Sequence, residues 1–226
     1  MPLDYRVISI GALSVNDLWD HQGPARTPHA TCTLIRSDKR TILVDPGLPP
    51  EVLIARLGER SGLTPNDISD VFLTCFRPAH RWGLLGFPNA RWLISEAERE
   101  AIGAHLVQQF QDTDDPQHEE TLRKEIALLK RFEPAPDQLA PQVDLFPLPG
   151  YTPGTAGLLL PLSGFSVLIA GDAVGSVEHL ENGRVQRNAF DIEQAKESLT
   201  EAIEIADAIV PGHDNIVLNP TRRPVG

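Results

Sequence analysis

The chain has 226 residues, 41% of them hydrophobic and 23% charged, and 31 acidic against 20 basic side chains leave it at −11. That acidity, with no Lys/Arg-rich run, excludes long-range attraction to nucleic acid or to an anionic membrane surface as the basis of function. Only two cysteines occur, Cys32 and Cys75, which excludes a disulfide scaffold and a multi-cysteine zinc module.

Strand-like segments open the chain at Tyr5–Leu13, Ala30–Ile35 and Thr41–Val44, the last running into the turn Asp45-Pro46-Gly47. Pro50–Arg60 reads as a helix with Val52, Leu53, Ala55 and Leu57 available for a buried face. Short buried strands follow at Val71–Leu73 and Arg91–Ile94. Ser95 and Glu98 have the spacing of a capping box and predict a helix to about Phe110. A second helix follows Pro116, with Leu122, Ile126 and Leu129 on one face. The acidic cluster Asp112, Asp114, Asp115, Glu119 and Glu120 reads as a solvated helix start favoured by the dipole rather than a cation site. Strands return at Val143–Leu148, Gly157–Leu162 and Phe165–Ala170. A helix capped by Asp191 spans Ile192–Ala206, with Ile192, Ala195, Leu199, Ala202 and Ile203 facing inward, and Ile209-Val210 and Ile216–Leu218 close the series. Two strand series separated by a helical insert, residues 95–132, predict an α/β architecture of two sheets with helices outside, in one domain over residues 1–226.

The first residues lack the basic region and long apolar stretch of a signal peptide. The uncharged run from Leu145 to Gly171 is broken by four prolines and by glycines, which a membrane-spanning helix would not tolerate. The expectation is a soluble, cytoplasmic protein with no membrane and no nucleic-acid partner. Its oligomeric state is left open.

Five polar loops follow directly on apolar strands: Asp45-Pro46-Gly47, Cys75–Gly83, Pro149–Gly154, Gly171-Asp172 and Pro211-Gly212-His213. Loops at strand ends are where binding and catalytic groups concentrate. If these ends converge, one cleft collects Asp45, Cys75, Arg77, His80, Tyr151, Asp172 and His213.

The succession ILVDPG, VFLTCFRPAHRWG, PGYTPGT, VLIAGDAV and IVPGHD resembles the metallo-β-lactamase superfamily from about residue 30 to residue 218, nearest to its glyoxalase II and lactonase type of small hydrolase. The resemblance implies an αβ/βα sandwich, two mixed sheets with helices outside, and an active site at one edge. It also exposes departures. Where the family has T-H-x-H-x-D-H, this chain reads Thr74, Cys75, Phe76, Arg77, Pro78, Ala79, His80, and the histidine of P-G-H-T-P-G is Tyr151. The family's first metal site maps onto Cys75, Arg77, Tyr151 and Asp172, and a permanently charged guanidinium cannot ligate a cation. The second maps onto Ala79, His80, Asp172 and His213. It keeps two histidines and a carboxylate, a set that holds a divalent metal with open positions.

Three readings follow. The first expected is a metal-free relative, a pseudoenzyme that binds a small molecule or a protein partner. In it Arg77 neutralises Asp172, with Tyr151 in hydrogen-bonding reach. The alternative is a mononuclear hydrolase of a small ester, lactone or thioester, with one zinc, iron or manganese on His80, Asp172 and His213 and a bound water as nucleophile. A third uses Cys75 as nucleophile beside His80. The catalytic candidates are therefore Asp172, His80 and Cys75, the cleft candidates Cys75, Arg77, Tyr151 and Asp45, and the cofactor none or a single divalent metal. Asp45 is expected to orient the ligand-bearing loops by accepting hydrogen bonds. His29 is expected to approach the cleft, His21 to sit in a polar loop, His105, His118 and His179 at the surface, and Trp82 in the core.

Overall fold

The computed structural model describes residues 2–19 and 26–222. His21 lies outside the described residues. The first sheet has the order β1 (Asp4–Ser9), β2 (Cys32–Ser37), β3 (Arg40–Val44), β4 (Asp70–Leu73), β5 (Arg91–Ile94), β6 (Glu133–Pro134). It is antiparallel from β1 to β3 and parallel from β3 to β6. The second runs β12 (Val217–Leu218), β11 (Ala208–Pro211), β10 (Phe165–Gly171), β9 (Ala156–Leu162), β8 (Val143–Pro147), β7 (Gln138–Ala140), and only β10 and β11 pair in parallel.

Helix α1 (Pro50–Ser61), the short α2 (Pro78–Arg81), α3 (Glu96–Asp112) and α4 (Pro116–Leu129) accompany the first sheet, and α5 (Val177–Glu181) and α6 (Ile192–Ile205) the second. Alternation along each strand explains the layering. In β3 and β4, Leu43, Val71 and Leu73 face the helices while Ile42, Val44 and Phe72 face the other sheet. Likewise Val167 and Ile169 of β10 look inward, and Leu168 and Ala170 pack under α6. Two mixed sheets with helices outside make an αβ/βα sandwich, as the motif order implied.

Local departures have physical causes. In α1, Leu53 and Leu57 are buried, but Val52 and Ala55 face solvent and Ile54 takes the flank, because the helix rests on the narrow groove beside β1. Asp191 caps α6 by accepting from Gln194 N at 3.0 Å, and Asp115 caps α4 by accepting from Gln117 N. Glu119 pairs with Arg123 and Glu120 with Lys124, so those members of the acidic cluster serve a solvated helix. Trp82 is 51% exposed rather than in the core. It lines an open apolar groove with Leu85 and Pro28. His179 is buried rather than superficial, its Nδ1 at 2.8 Å from Ser176 Oγ. His105 and His118 are exposed as expected.

What the sandwich does for function is bring strand ends together. Asp45 follows β3, Thr74 and Cys75 follow β4, Asp172 follows β10, and Gly212 and His213 follow β11. The carboxyl ends of parallel strands open at one edge, where ligands are met in α/β sheets. Backbone bonds stitch the sheets there: Ala156 N donates to Thr74 O at 3.0 Å and Thr31 N to Gly212 O at 2.7 Å.

Phe72 is fully buried between the sheets. Phe72→Ala should cost about 3–5 kcal/mol, read as a lowered urea midpoint with an unchanged slope.

Candidate functional site

Asp172 is at the centre of a sealed polar cluster. Its Oδ2 lies 3.0 Å from His80 Nε2, and its Oδ1 lies 3.1 Å from His213 Nε2. His80, Asp172 and His213 therefore meet, and the two imidazoles stand edge to face with centroids 5.7 Å apart.

The opposite ring nitrogens are tied down. His80 Nδ1 is 3.0 Å from Asp45 Oδ2, and that oxygen also accepts from Thr74 Oγ1 at 2.6 Å. His213 Nδ1 faces the carbonyls of His29, at 2.9 Å, and Ala12, at 3.2 Å. Carbonyls and carboxylates only accept, so each Nδ1 carries a hydrogen. Each Nε2 then points toward Asp172, and lone pair against carboxylate is repulsive unless a proton or a cation lies between. Asp172 Oδ1 is fully buried yet accepts no aligned hydrogen bond. Fixed tautomers and an unsatisfied buried oxygen fit a cation, and Cys75, His80 and Asp172 offer donor atoms all within 4.8 Å of one another.

Close packing leaves no slack here. A Cβ on Gly212 would fall 2.3 Å from Asp172 Oδ1. Gly171, at φ +55°, could carry one only 2.3 Å from Thr74 Oγ1. Asp45 itself has a positive φ of 50° and accepts from Thr74 N at 2.9 Å, so it orients the loop after β4 as expected. It is His29's carbonyl rather than its ring that reaches the cluster.

Burial acting alone would raise the Asp172 carboxyl, but His213 and His80 hold it well below the carboxylate range. Burial would likewise depress His80, whereas Cys75, Asp45 and Asp172 around it lift it well above the ordinary imidazole value. Burial pushes the Cys75 thiol up to about 11, so at neutral pH it is a thiol and not a ready nucleophile. Tyr151 is also raised, by burial and then by Asp172, and stays a neutral phenol, with Asn188 Nδ2 3.5 Å from its hydroxyl.

The expected Arg77–Asp172 pair does not form. Arg77 is exposed, makes no ion pair among the described residues, and places its guanidinium 5.4 Å over the Tyr151 ring. His80 and His213 already flank Asp172 at 3.0 and 3.1 Å, so a guanidinium would have to be desolvated to enter space that two imidazoles occupy. Arg77 instead borders a neighbouring cleft of about 560 Å³ between the motif loops and the helical insert, lined also by Phe76, Ile102, His105, Thr152 and Phe190.

Sequence reasoning missed Glu98. Ser95 caps α3 as predicted, accepting from Glu98 N at 3.1 Å, but the Glu98 carboxylate does not close a capping box. Fully buried, it accepts from Phe76 N at 2.9 Å and from Gly154 N at 3.1 Å, while Ser95 Oγ donates to Gly154 O at 2.5 Å. One side chain thus joins the insert to the Cys75 loop and the Tyr151 loop. The only sequence signal was the box spacing, which names the donor at N3 but not where the carboxylate goes.

The family profile of the metallo-beta-lactamase superfamily matches residues 26–213. The chain belongs to the metallo-beta-lactamase superfamily. Solved structures agree on the fold. A Thermotoga maritima protein assigned to the metallo-beta-lactamases is 18% identical, with a TM-score of 0.69, covering 96% of this chain and 100% of that one. The dizinc quorum-quenching lactonase AidC, solved with a product, is 19% identical with a TM-score of 0.65, covering 81% and 72%. A variant of AiiA from B. thuringiensis with N-decanoyl-L-homoserine at its active site is 21% identical with a TM-score of 0.61, covering 90% and 87%. No curated protein matches the sequence significantly. Among the described residues no helix is long and apolar enough to cross a membrane.

Two outcomes follow. Glu98→Ala strands two buried N–H donors and should cost about 2–5 kcal/mol in urea melts, with Glu98→Gln losing less. In chelator, the Asp172 contribution is present above about pH 4 and lost as pH falls through its depressed value. The His80 contribution is complete below about pH 6.5 and lost as pH rises through its elevated value. Metal-free stability should therefore plateau between about pH 4 and 6.5 and decline above, and His80→Gln should remove that alkaline decline.

Proposed function

We propose that this chain is a ligand-binding member of the superfamily that does not turn its ligand over, with recognition in the cleft between the motif loops and the insert. The carrying observation is the direction of Arg77: where the family places a metal-binding histidine, this side chain turns out to the cleft wall. Arg81, its neighbour there, is committed to Glu125 at 2.5 Å and to Phe76 O, and Glu98 to two backbone amides, so Arg77 is the free charge. A free guanidinium beside Phe76, Ile102 and Phe190 suits a small amphipathic anion: carboxylate on Arg77, acyl chain along the apolar wall. In this reading the buried cluster holds at most one divalent cation and supports the loops.

The mononuclear hydrolase reading draws on one specific observation, the convergence of two fixed Nε2 atoms on an unsatisfied Asp172 oxygen. A cation held there by His80, Asp172 and His213 would supply carbonyl polarisation and an acidified water. Access is narrow: His80, Asp172 and Tyr151 are almost wholly buried, and of the three donors it is His213 that lines a cavity, one of about 330 Å³ shared with Ser176 and Asp214.

Calorimetric titration with N-hexanoyl-L-homoserine, an acyl carboxylate of the kind carried by the related lactonases, separates the two. Binding is expected in the wild type, weakened about 10- to 100-fold by Arg77→Ala. N-hexanoyl-homoserine lactone should stay intact with or without added zinc. Saturable lactone opening lost in His213→Ala would overturn the reading in favour of hydrolysis.

A further inference from the structure

Cys75 has no part in either reading, yet it lies inside the cluster. Its sulfur, a His80 ring nitrogen and an Asp172 oxygen are mutually within 4.8 Å, and all three residues are buried. A lone buried cysteine is ordinarily a small apolar filler. Cys32 is that case: equally buried, it packs against Ile8, Leu34 and the rest of the core beneath the first sheet.

Cys75 differs from Cys32 in what surrounds it. Asp172, whose Oδ1 is buried and accepts no aligned hydrogen bond, offers a carboxylate oxygen within 4.8 Å of the sulfur. The Nδ1 hydrogens of His80 and His213 are committed elsewhere, to Asp45 and to two backbone carbonyls, so the Nε2 atoms are the positions left for a proton or a cation. Arg77, the one fixed positive charge that the motif introduces, has turned away. Nothing cationic other than a proton or a metal is left to join these donors.

We infer that Cys75 is a thiolate donor to a single cation that it shares with His80 and Asp172. A thiolate, an imidazole and a carboxylate form a donor set whose softness selects zinc or cobalt(II) over magnesium, calcium or manganese. The inference rests on the cluster's taking a cation and extends the proposed function by saying which cation and with which donors. Loading replaces the S–H bond by a metal–sulfur bond and releases that proton to solvent, so uptake weakens as pH falls. A cation there would tie the segment after β4 to the loop after β10, a bracing role that the ligand-binding reading accommodates.

The test is growth in cobalt-supplemented medium, so that the ion enters during folding, followed by metal analysis and absorption spectroscopy. Expected are one cobalt per chain and an intense near-ultraviolet sulfur-to-cobalt charge-transfer band. Cys75→Ser should abolish the band and weaken cobalt retention roughly ten-fold or more, whereas Cys32→Ser should keep both. Should Cys75→Ser fail to fold, the Cys32→Ser protein decides, since Cys75 is then its sole cysteine. Cobalt bound without the band, or a band that survives Cys75→Ser, overturns the thiolate donor and leaves the cation site standing. Folded protein that takes up no cobalt overturns both, and neither result touches the Arg77 titration.

Discussion

One buried carboxylate governs this edge of the molecule. Asp172 leaves β10 of the second sheet and meets His80, which hangs from the loop after β4 of the first, and His213, which follows β11. Two imidazoles whose Nδ1 atoms already donate must bring their Nε2 atoms up to an anion, and that contact is attractive only with positive charge in between. Protons or a divalent ion both meet the condition, so the same residues make sense as a bare ion cluster or as a metal site. Glycines at 171 and 212 exist because side chains there would collide with Thr74 and with Asp172.

The superfamily's two-metal pattern, as the resemblance implies it, maps unevenly onto this chain. The half that maps onto His80, Asp172 and His213 retains its supporting contacts as well: Asp45 and Thr74 behind one ring, two carbonyls behind the other. In the other half Arg77 has left the interior, Tyr151 has become a neutral buried phenol, and Cys75 is a protonated thiol.

Much of this was legible in the sequence because it depends on order and on strand ends. Continuous apolar runs ending in polar loops mark the strand ends at Asp45, Cys75, Asp172 and His213, while the sandwich comes from the resemblance and the convergence is a condition that the structure meets. Less legible was anything decided by competition between neighbours. Arg77 was expected against Asp172, but a linear reading does not reveal that two histidines occupy that carboxylate first. Glu98 sits at a capping-box position, and only the tertiary approach of Phe76 and Gly154 diverts its carboxylate. Trp82 and His179 exchanged surface and interior for a related reason: burial of one side chain in a short loop depends on what packs over it, which periodicity does not encode.

The Glu98 latch has a mechanical consequence for the cleft beside it. Because α3 is fastened at its first turn to both motif loops, it cannot hinge away from them without breaking two buried, charge-assisted bonds at once. The wall formed by Phe76 and Thr152 is therefore the stiff side of the cavity. The exposed rim carries the Phe190 ring, 71% exposed though its backbone N donates to Tyr151 O at 3.0 Å, and Glu125, held by Arg81. On the proposed reading, a ligand in this cleft meets its variable boundary at the exposed rim, apart from the two Glu98 bonds and the buried cluster.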